Sequence, residues 1–566
     1  MPNPVIRQRN TGDADALPSS LPPVLRRLYA ARGVTASQLA LELKQLLPPQ
    51  QLKGIDAATM LLQQALEKNW RIVIAGDYDA DGATSTALAV LALRVLGAAS
   101  VAYVVPDRFR MGYGLSPALA ELVAAQGCDL LVTVDNGIAS VAGVARAQAL
   151  GMKVLITDHH LPGPELPTAD AIVNPNQPGC TFASKHLAGV GVMFYVLLAL
   201  RARLREAGWF AIRAEPNLAD YLDLVAVGTV ADVVKLDYNN RVLVQQGLQR
   251  IRAGRARPGI TALLQVAGRS VANLSATDLG FVVGPRINAA GRLDDMRIGI
   301  ECLLSAAAED ALSRARQLDA FNRERRNIEN DMKEAALLHV ETQDVATGVC
   351  LFDPEWHEGV VGLVASRIKE KLHRPVIAFA RAAEGGLLKG SGRSISGLHL
   401  RDALAAVDAR HPGLIERFGG HAMAAGLTLP ERHYETFREA FDAICAQWLT
   451  PQQLEQLLET DGEMAAGELT LDTARLLEQS GPWGQGFPEP LFEGRFEVIE
   501  TRVLGEQQNH VRYRLRAGGA DMIAMDFGGI ERLHRSGILN VAYRLNINRW
   551  QGSETINLHI QHLQPA

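Results

Sequence analysis

Four short β-branched runs, at 71–75, 101–105, 129–134 and 152–156, alternate with Ala- and Leu-rich segments such as 83–96 and 141–150. A chain that alternates strand and helix patterns at this spacing folds as a parallel, doubly wound α/β sheet. In such a sheet the functional site lies beyond the carboxyl ends of the strands. Three of the runs end in acid: "IVIAGDYDADG" supplies Asp77, Asp79 and Asp81, "LLVTVDNG" supplies Asp135 and Asn136, and "VLITDHH" supplies Asp158, His159 and His160. The topology therefore brings the acids and both histidines to one edge.

Singly, each motif has a structural explanation. An aspartate after a strand commonly caps the next helix or forms an Asx turn, and "DNG" is a good turn sequence. Three acids on alternate residues are harder to explain as caps, because ionised carboxylates a few ångströms apart repel one another unless a cation balances them. Carboxylate-dominated ligation with one or two imidazoles and no thiolate suits Mn²⁺ or Mg²⁺, and the ligand count calls for two ions. Two bridged divalent ions activate water and stabilise the leaving oxygen of a phosphoester. No GxxxxGK[ST] loop occurs in the sequence, which argues against use of nucleoside triphosphate.

Composition excludes other classes. The chain has 566 residues, 48% of them hydrophobic, enough for several domain cores. Its five cysteines are scattered without a CxxC pair, so neither a zinc knuckle nor a disulfide framework is expected. The longest apolar run, 187–200, is too short and glycine-rich to span a bilayer, and the first twenty residues lack a signal-type apolar region. A cytoplasmic protein without membrane partners is expected. A net charge of −5 argues against coating nucleic acid by bulk charge. Locally, residues 240–277 hold six arginines and no acid, a candidate strip for a nucleic-acid backbone.

In order, "GDYDADG", "VDNG", "TDHH" and "DLVAVGTVADVV" resemble the four motifs of the DHH phosphoesterase superfamily. The likeness runs from about Leu21 to the C-terminus and includes "VPDRFRMGYGLS", "NPNQPGCTFASKHLAGVGV", "GPRINAAGRLDD", "WHEGVVGLVASRIKE", "KGSGRS", "RFGGHAMAAG" and "GPWGQGFPEPLF". That extent is similar to the branch of the superfamily that digests single-stranded DNA. The resemblance implies metal ligation by Asp79, Asp81, Asp135, His159 and Asp232, with Asp77 in or beside the ligand set. It implies that His160 faces the scissile phosphate and that Asp158 is catalytic or holds a histidine tautomer. One position departs from the pattern: Lys235 stands after "ADVV" where the family leads one to expect proline, in the loop that carries Asp232.

The resemblance also implies strand contacts at Arg108 and Arg110, at Arg286, Asn288 and Arg292, at His357 and Arg367, at Ser391, Arg393 and Ser394, and at Gly419, Gly420 and His421. The expected architecture is an α/β multidomain chain. It comprises an N-terminal segment (1–50), a doubly wound parallel-sheet catalytic domain (51–295), a connecting helical region (296–347), a second α/β DHH-associated domain (348–450) and a C-terminal OB-like β-barrel (451–566). The period-two patterning of "GRFEVIETRVLG", "HVRYRLRAGG" and "VAYRLNINRW" independently points to the barrel. Residues 501–566 hold eight arginines against five acids, as a domain tracking single strands would.

The implied activity is a 5′→3′ exonuclease releasing mononucleotides from single-stranded DNA, dependent on Mn²⁺ or Mg²⁺. It would act in recombination and repair beside a helicase and a single-strand-binding protein. A small-substrate DHH hydrolase, an RNA-directed exonuclease and a binding protein that has lost catalysis are the competing readings. The intact acids and histidines oppose the last, and the long C-terminal extension opposes the first. The substrate is expected in a cleft between the two α/β domains, with the barrel adding affinity outside it. On that expectation, truncation near Ala465 leaves cleavage of very short oligonucleotides much less affected than binding of long strands.

Overall fold

A computed structural model describes residues 4–106, 114–341, 346–382 and 385–566. The chain divides into two compact units: Gln8–Asp319 with Thr460–Ala566, and Ala320–Glu459 with the start of the chain up to Arg7. The C-terminal segment thus joins the same unit as the catalytic sheet.

In the larger unit, strands β1 (Arg71–Ala75), β2 (Ser100–Val104), β3 (Leu130–Val134), β4 (Lys153–Thr157) and β5 (Ala171–Val173) form a parallel sheet in the order β2-β1-β3-β4-β5. All five residues of β3 are buried, and Arg71 alone of β1 is exposed. Such continuous apolar runs are what strands covered on both faces require. Between the strands lie α1 (Ala80–Leu96), α2 (Pro117–Ala125) and α3 (Val141–Ala149). α1 starts where the Asp79 carboxylate accepts from Gly82 N at 2.9 Å, and it stops at Gly97, whose φ of +107° is the left-handed value of a helix C-terminus. Beyond the sheet come α4 (Gly189–Glu206), α5 (Leu222–Ala231), α6 (Tyr238–Arg252) and α7 (Gly284–Leu293). The connecting region resolves into a short helix, Arg297–Leu304, and the 34-residue α8 (Ala308–Glu341).

The smaller unit holds β6 (Val349–Phe352), α9 (Val361–Leu372), β7 (Val376–Arg381), β8 (Leu387–Arg393), α10 (Leu400–Arg410), β9 (Arg417–Gly420), β10 (Ala424–Pro430) and α11 (Tyr434–Trp448). Its mixed sheet runs β9-β10-β8-β7-β6, and β6 and β7 are its parallel pair. Ile377, Phe379, Leu388, Leu404, Phe437 and Phe441 fill its core.

After α12 (Leu471–Gln479), strands β11 (Phe492–Leu504), β12 (His510–Ala517), β13 (Ala520–Asp526), β14 (Ile538–Trp550) and β15 (Ser553–Pro565) close a barrel. Closure removes exposed strand edges. Val24, Leu25 and Leu28, from the helix Pro23–Ala31, pack into the same core as Phe492, Tyr513 and Tyr543. Arg32 fixes that segment by a two-pronged ion pair to buried Asp461, with both contacts 2.8 Å. The N-terminal residues are therefore part of the barrel's packing, although the sequence pattern reads them as a separate segment.

In the basic strip at 240–277, Arg255 and Arg269 are exposed and several of the other arginines are engaged. Arg257 pairs with buried Asp223, Arg250 with Asp220 and Arg269 with Asp278, while Arg252 donates to the Leu274 carbonyl. In the barrel, Arg516, Arg532, Arg544 and Arg549 pair with Asp521, Asp526, Glu489 and Glu478. Glu489 and Glu478 come from outside the barrel's arginine-rich run, whereas Asp521 and Asp526 lie within it. All five cysteines are free thiols. Among the described residues no helix is long and apolar enough to cross a membrane.

Leu28 is 1% exposed within the barrel core. Leu28→Ala should destabilise the chain by about 2–5 kcal/mol in denaturant unfolding, the usual range for a buried leucine. A loss well below that range would mean the N-terminal helix is not part of the barrel's cooperative core.

Candidate metal centre

The acids converge as the topology requires. Asp77 and Asp79 follow β1, Asp81 lies in the first turn of α1, Asp135 follows β3, and Asp158, His159 and His160 follow β4. Asp232 arrives from the far side, immediately after α5. Donor atoms of Asp81, His159 and Asp232 lie within 4.8 Å of one another, as do those of Asp77, Asp79 and Asp135, and those of Asp135, His159 and His160. His159 Nε2 sits 3.0 Å from Asp135 Oδ1, 3.5 Å from Asp232 Oδ2 and 4.0 Å from Asp81 Oδ2.

Backbone geometry sets these positions. Asp81 accepts from Gly189 N at 2.6 Å and Val190 N at 2.9 Å, so the N-terminus of α4 points its amides at this carboxylate. A Cβ on Gly189 would lie 2.5 Å from Asp135 Cβ, so only glycine lets the helix come this close. Asp135 itself has φ of +63°, which aspartate tolerates better than most residues. Gly291 of α7 plays a similar part, because a Cβ there would meet the Tyr78 carbonyl at 2.1 Å. Asp79 caps α1 while contributing to the cluster, so its structural and chemical readings hold together.

Burial governs the electrostatics. Burial, then repulsion from Asp232, pushes the Asp81 carboxyl up to about 7. Burial and the Asp79 charge push Asp232 up to about 8, and burial with the charges of Asp81, Asp79 and Asp77 raises Asp135 well above the usual carboxylate range. Burial and neighbouring His160 hold His159 below the ordinary histidine value, in the neutral form that ligates metals. Its Nε2 is shielded from solvent and makes no hydrogen bond. Buried carboxylates held above their normal range, facing an imidazole nitrogen without a hydrogen bond, fit hard divalent cations such as Mn²⁺ or Mg²⁺. The absence of thiols from all three donor sets fits the same ions.

Asp158 has a different role. Its Oδ1 accepts from His159 N, His160 N and His160 Nδ1, at 2.7, 3.1 and 2.7 Å, and its Oδ2 accepts from Ile138 N at 2.9 Å. Burial alone would raise its pKa, but these hydrogen bonds and the His160 charge bring it below the usual range. Burial would lower His160, yet its partner Asp158 raises it to about 9. Asp158 therefore anchors the two histidines from below. Asn174 and Asn176 complete the loop by donating to the His160 and His159 carbonyls at 2.9 and 2.6 Å. Their segment, "NPNQPG", carries part of the family resemblance but no role in the sequence reading. Two asparagines flanking a proline after a strand are the signal that marks them as loop anchors.

The expected strand contacts separate into exposed and buried groups. Arg108 and Arg110 lie outside the described residues. In the larger unit Arg286 is buried and bonded to Asp319, and Asn288 accepts from Ala80 N at 2.7 Å. Asn288 thereby braces the loop after β1, while Arg286 joins α7 to α8. Arg292 is partly exposed on the same helix. In the smaller unit Ser394 is buried and donates to the Leu398 carbonyl. Ser391 accepts from Arg393 beside the start of α9, where a Cβ on Gly362 would crowd both. His357 Nδ1 accepts from Gly359 N, and Arg367 is engaged by Glu329 and Glu370. Gly419 and His421 are exposed at the β9–β10 hairpin, where Gly420 has φ of +138°.

The DHH family N-terminal domain matches residues 71–229, the DHHA1 domain 343–447 and the RecJ OB domain 460–562. The single-stranded-DNA-specific exonuclease RecJ of Dickeya dadantii strain 3937 is 54% identical over 571 residues, covering 99% of both chains. The crystal structure of Thermus thermophilus RecJ with Mn²⁺ matches with a TM-score of 0.81 at 31% identity, over 99% of this chain and 80% of that one. The Mg²⁺ complex from the same organism matches with a TM-score of 0.75 at 30% identity, over 99% and 79%.

Raised carboxyls at about 7 and 8 stabilise the metal-free fold while protonated and lose that contribution as pH rises through those values. His160, raised to about 9, acts in the same direction. In chelator, the melting temperature should therefore fall from pH 6.5 to 9. Mn²⁺ at about 100 times its Kd at pH 6.5 should restore about 2.7 kcal/mol there, and the same concentration should restore more at high pH, where protons no longer compete and Kd falls. A metal-free melting temperature that is flat or rising over this window would contradict the electrostatic assignment.

Proposed function

The chain belongs to the RecJ family within the DHH phosphoesterases, and from that membership we propose a metal-dependent, single-stranded-DNA-specific exonuclease that degrades strands 5′→3′ to mononucleotides. The observation that carries this reading is the convergence of Asp77, Asp79, Asp81, Asp135, His159 and Asp232 at the carboxyl ends of β1 and β3–β4. Asp81, His159 and Asp232 would hold one divalent ion and Asp77, Asp79 and Asp135 a second. Divalent ions bound there supply an activated water and neutralise charge on the phosphate.

The protein's own groups do the rest. His160, charged because Asp158 raises its pKa, donates to a phosphate oxygen as negative charge builds in the transition state. Asp158 is a positioning residue that fixes the ring through Nδ1. Arg292, His357, Arg367, Ser391, Arg393, Gly419, Gly420 and His421 are the described candidates, exposed or partly so, for holding the strand through its phosphates, which reads no sequence. The RecJ OB domain adds a surface for single strands. We place the protein in the cytoplasm, acting with a helicase and a single-strand-binding protein in recombination and repair.

Asp135→Ala should lower turnover by about 10³-fold or more, equivalent to about 4 kcal/mol of barrier, in a folded protein. His159→Ala should lower Mn²⁺ occupancy, whereas His160→Ala should keep the metal and slow turnover by about 10²–10³-fold. Equal metal loss in the two histidine variants would overturn the division of roles. Matched end-labelled single-stranded DNA, blunt duplex DNA and RNA, digested with Mn²⁺, test the substrate: the single DNA strand should be consumed first. Equal consumption of RNA would favour an RNA-directed enzyme.

A further inference from the structure

The loop that delivers Asp232 is not held by the catalytic domain alone. α5 ends at Ala231, Val233 takes φ of +60°, which β-branched residues rarely adopt, and the chain then passes Lys235 and Leu236 to Asp237, the N-cap of α6. From its own domain the loop is held by Asn240, whose side chain donates to the Lys235 carbonyl at 2.9 Å and the His186 carbonyl at 2.6 Å. A second support comes from residues 484–487, some 250 positions later, between α12 and the barrel strands.

Buried Leu236 donates its amide to the Gln485 carbonyl at 2.7 Å. Gly484 and Gly486 flank that carbonyl, and both positions are tight. A Cβ on Gly484 would lie 2.8 Å from Leu236 Cδ1, and one on Gly486, where φ is +72°, would lie 3.1 Å from Lys235 Cγ. Next comes Phe487, 4% exposed, with the Arg241 guanidinium 3.9 Å from its ring centre. Among the described residues no acid pairs with Arg241, which is 3% exposed, and its Nε makes no hydrogen bond. The aromatic face is thus its chief electrostatic partner. Trp483 stacks on Phe487 at 5.1 Å and fixes the ring from behind.

We propose that the Gly484–Phe487 turn is a clasp that positions Asp232, so that the C-terminal domain sets metal affinity at the catalytic centre as well as adding strand contacts. This rests on the reading of Asp232 as a metal ligand. Phe487 and Gly486 are positioning residues, acting through Arg241 and the 233–236 loop. Lys235 suits the clasp, because its stem lies against Gly486 while the residue stays exposed. The clasp also revises the expectation that loss of the barrel region spares cleavage of short oligonucleotides. Removal of residues beyond Ala465 takes the clasp with it.

The test is Mn²⁺ titration by calorimetry on the full chain, comparing wild type with Asp232→Asn, Phe487→Ala, Phe487→Tyr, Gly486→Ala and Trp550→Ala. Support for an ordered ligand is worth about 10- to 100-fold in metal affinity, so Phe487→Ala should weaken Mn²⁺ binding by that factor. Gly486→Ala should act in the same direction and carries the test if Phe487→Ala does not fold. Phe487→Tyr, which keeps the ring, should bind as wild type, and so should Trp550→Ala at the exposed tip of the β14–β15 hairpin. Turnover of Phe487→Ala on a short oligonucleotide should recover at saturating Mn²⁺. Wild-type Mn²⁺ affinity in folded Phe487→Ala and Gly486→Ala, with affinity lost in Asp232→Asn, overturns the clasp alone. Wild-type affinity in Asp232→Asn overturns the metal reading beneath it.

Discussion

Carboxylates gathered around one imidazole in a buried pocket repel one another, and the elements that surround the pocket answer that repulsion. A buried carboxylate is tolerated when it is protonated, when hydrogen bonds hold its charge, or when a cation balances it. Asp158 takes the second route, with four hydrogen bonds that keep it ionised. Asp81 has two amides from α4, which lower its pKa too little to offset burial and the Asp232 charge. Asp135 and Asp232 are raised by burial and by the neighbouring carboxylates, so a proton or a cation suits them both. The fold thus prepares a site whose deprotonated form requires cations.

Holding such a site needs stiff supports, because each ligand comes from a different strand end or helix. The supports are backbone contacts at glycines and polar clamps. Gly189 lets α4 reach Asp81 and Asp135, and Gly291 lets α7 reach the Asp77–Asp79 loop. Asn288 holds the amide of Ala80, and the Arg286–Asp319 ion pair ties α7 to α8. Removing one partner of that buried pair would strand a charge, so its effect on the centre would come through structure and not through contact with DNA. Where α4 holds the Asp81 carboxylate directly, the clasp from residues 484–487 acts on Asp232 through the loop that follows it.

Much of this centre was legible because a strand followed by an acid is a local pattern. β1 and the helix after it follow directly from the run "RIVIA" and from Asp79 as a cap. The register of strand ends then places Asp135, Asp158 and His159 together with no further information. Support contacts were not legible, since they join residues far apart in sequence. Arg286 reads as a phosphate contact in "GPRINAAG", and only tertiary packing shows its ion pair with Asp319, 33 residues on. Of the arginines of 240–277, Arg250, Arg257 and Arg269 meet acids that the run does not show, because Asp220 and Asp223 precede it and Asp278 follows it. Phe487 carries no sequence signal for its place beneath Arg241.

We propose that these carboxylates and His159 make one two-ion centre. Anomalous diffraction at the manganese absorption edge, on crystals grown with Mn²⁺, reads it directly. The account predicts two peaks, one among Asp81, His159 and Asp232 and one among Asp77, Asp79 and Asp135. A single peak, or peaks away from these side chains, would contradict it.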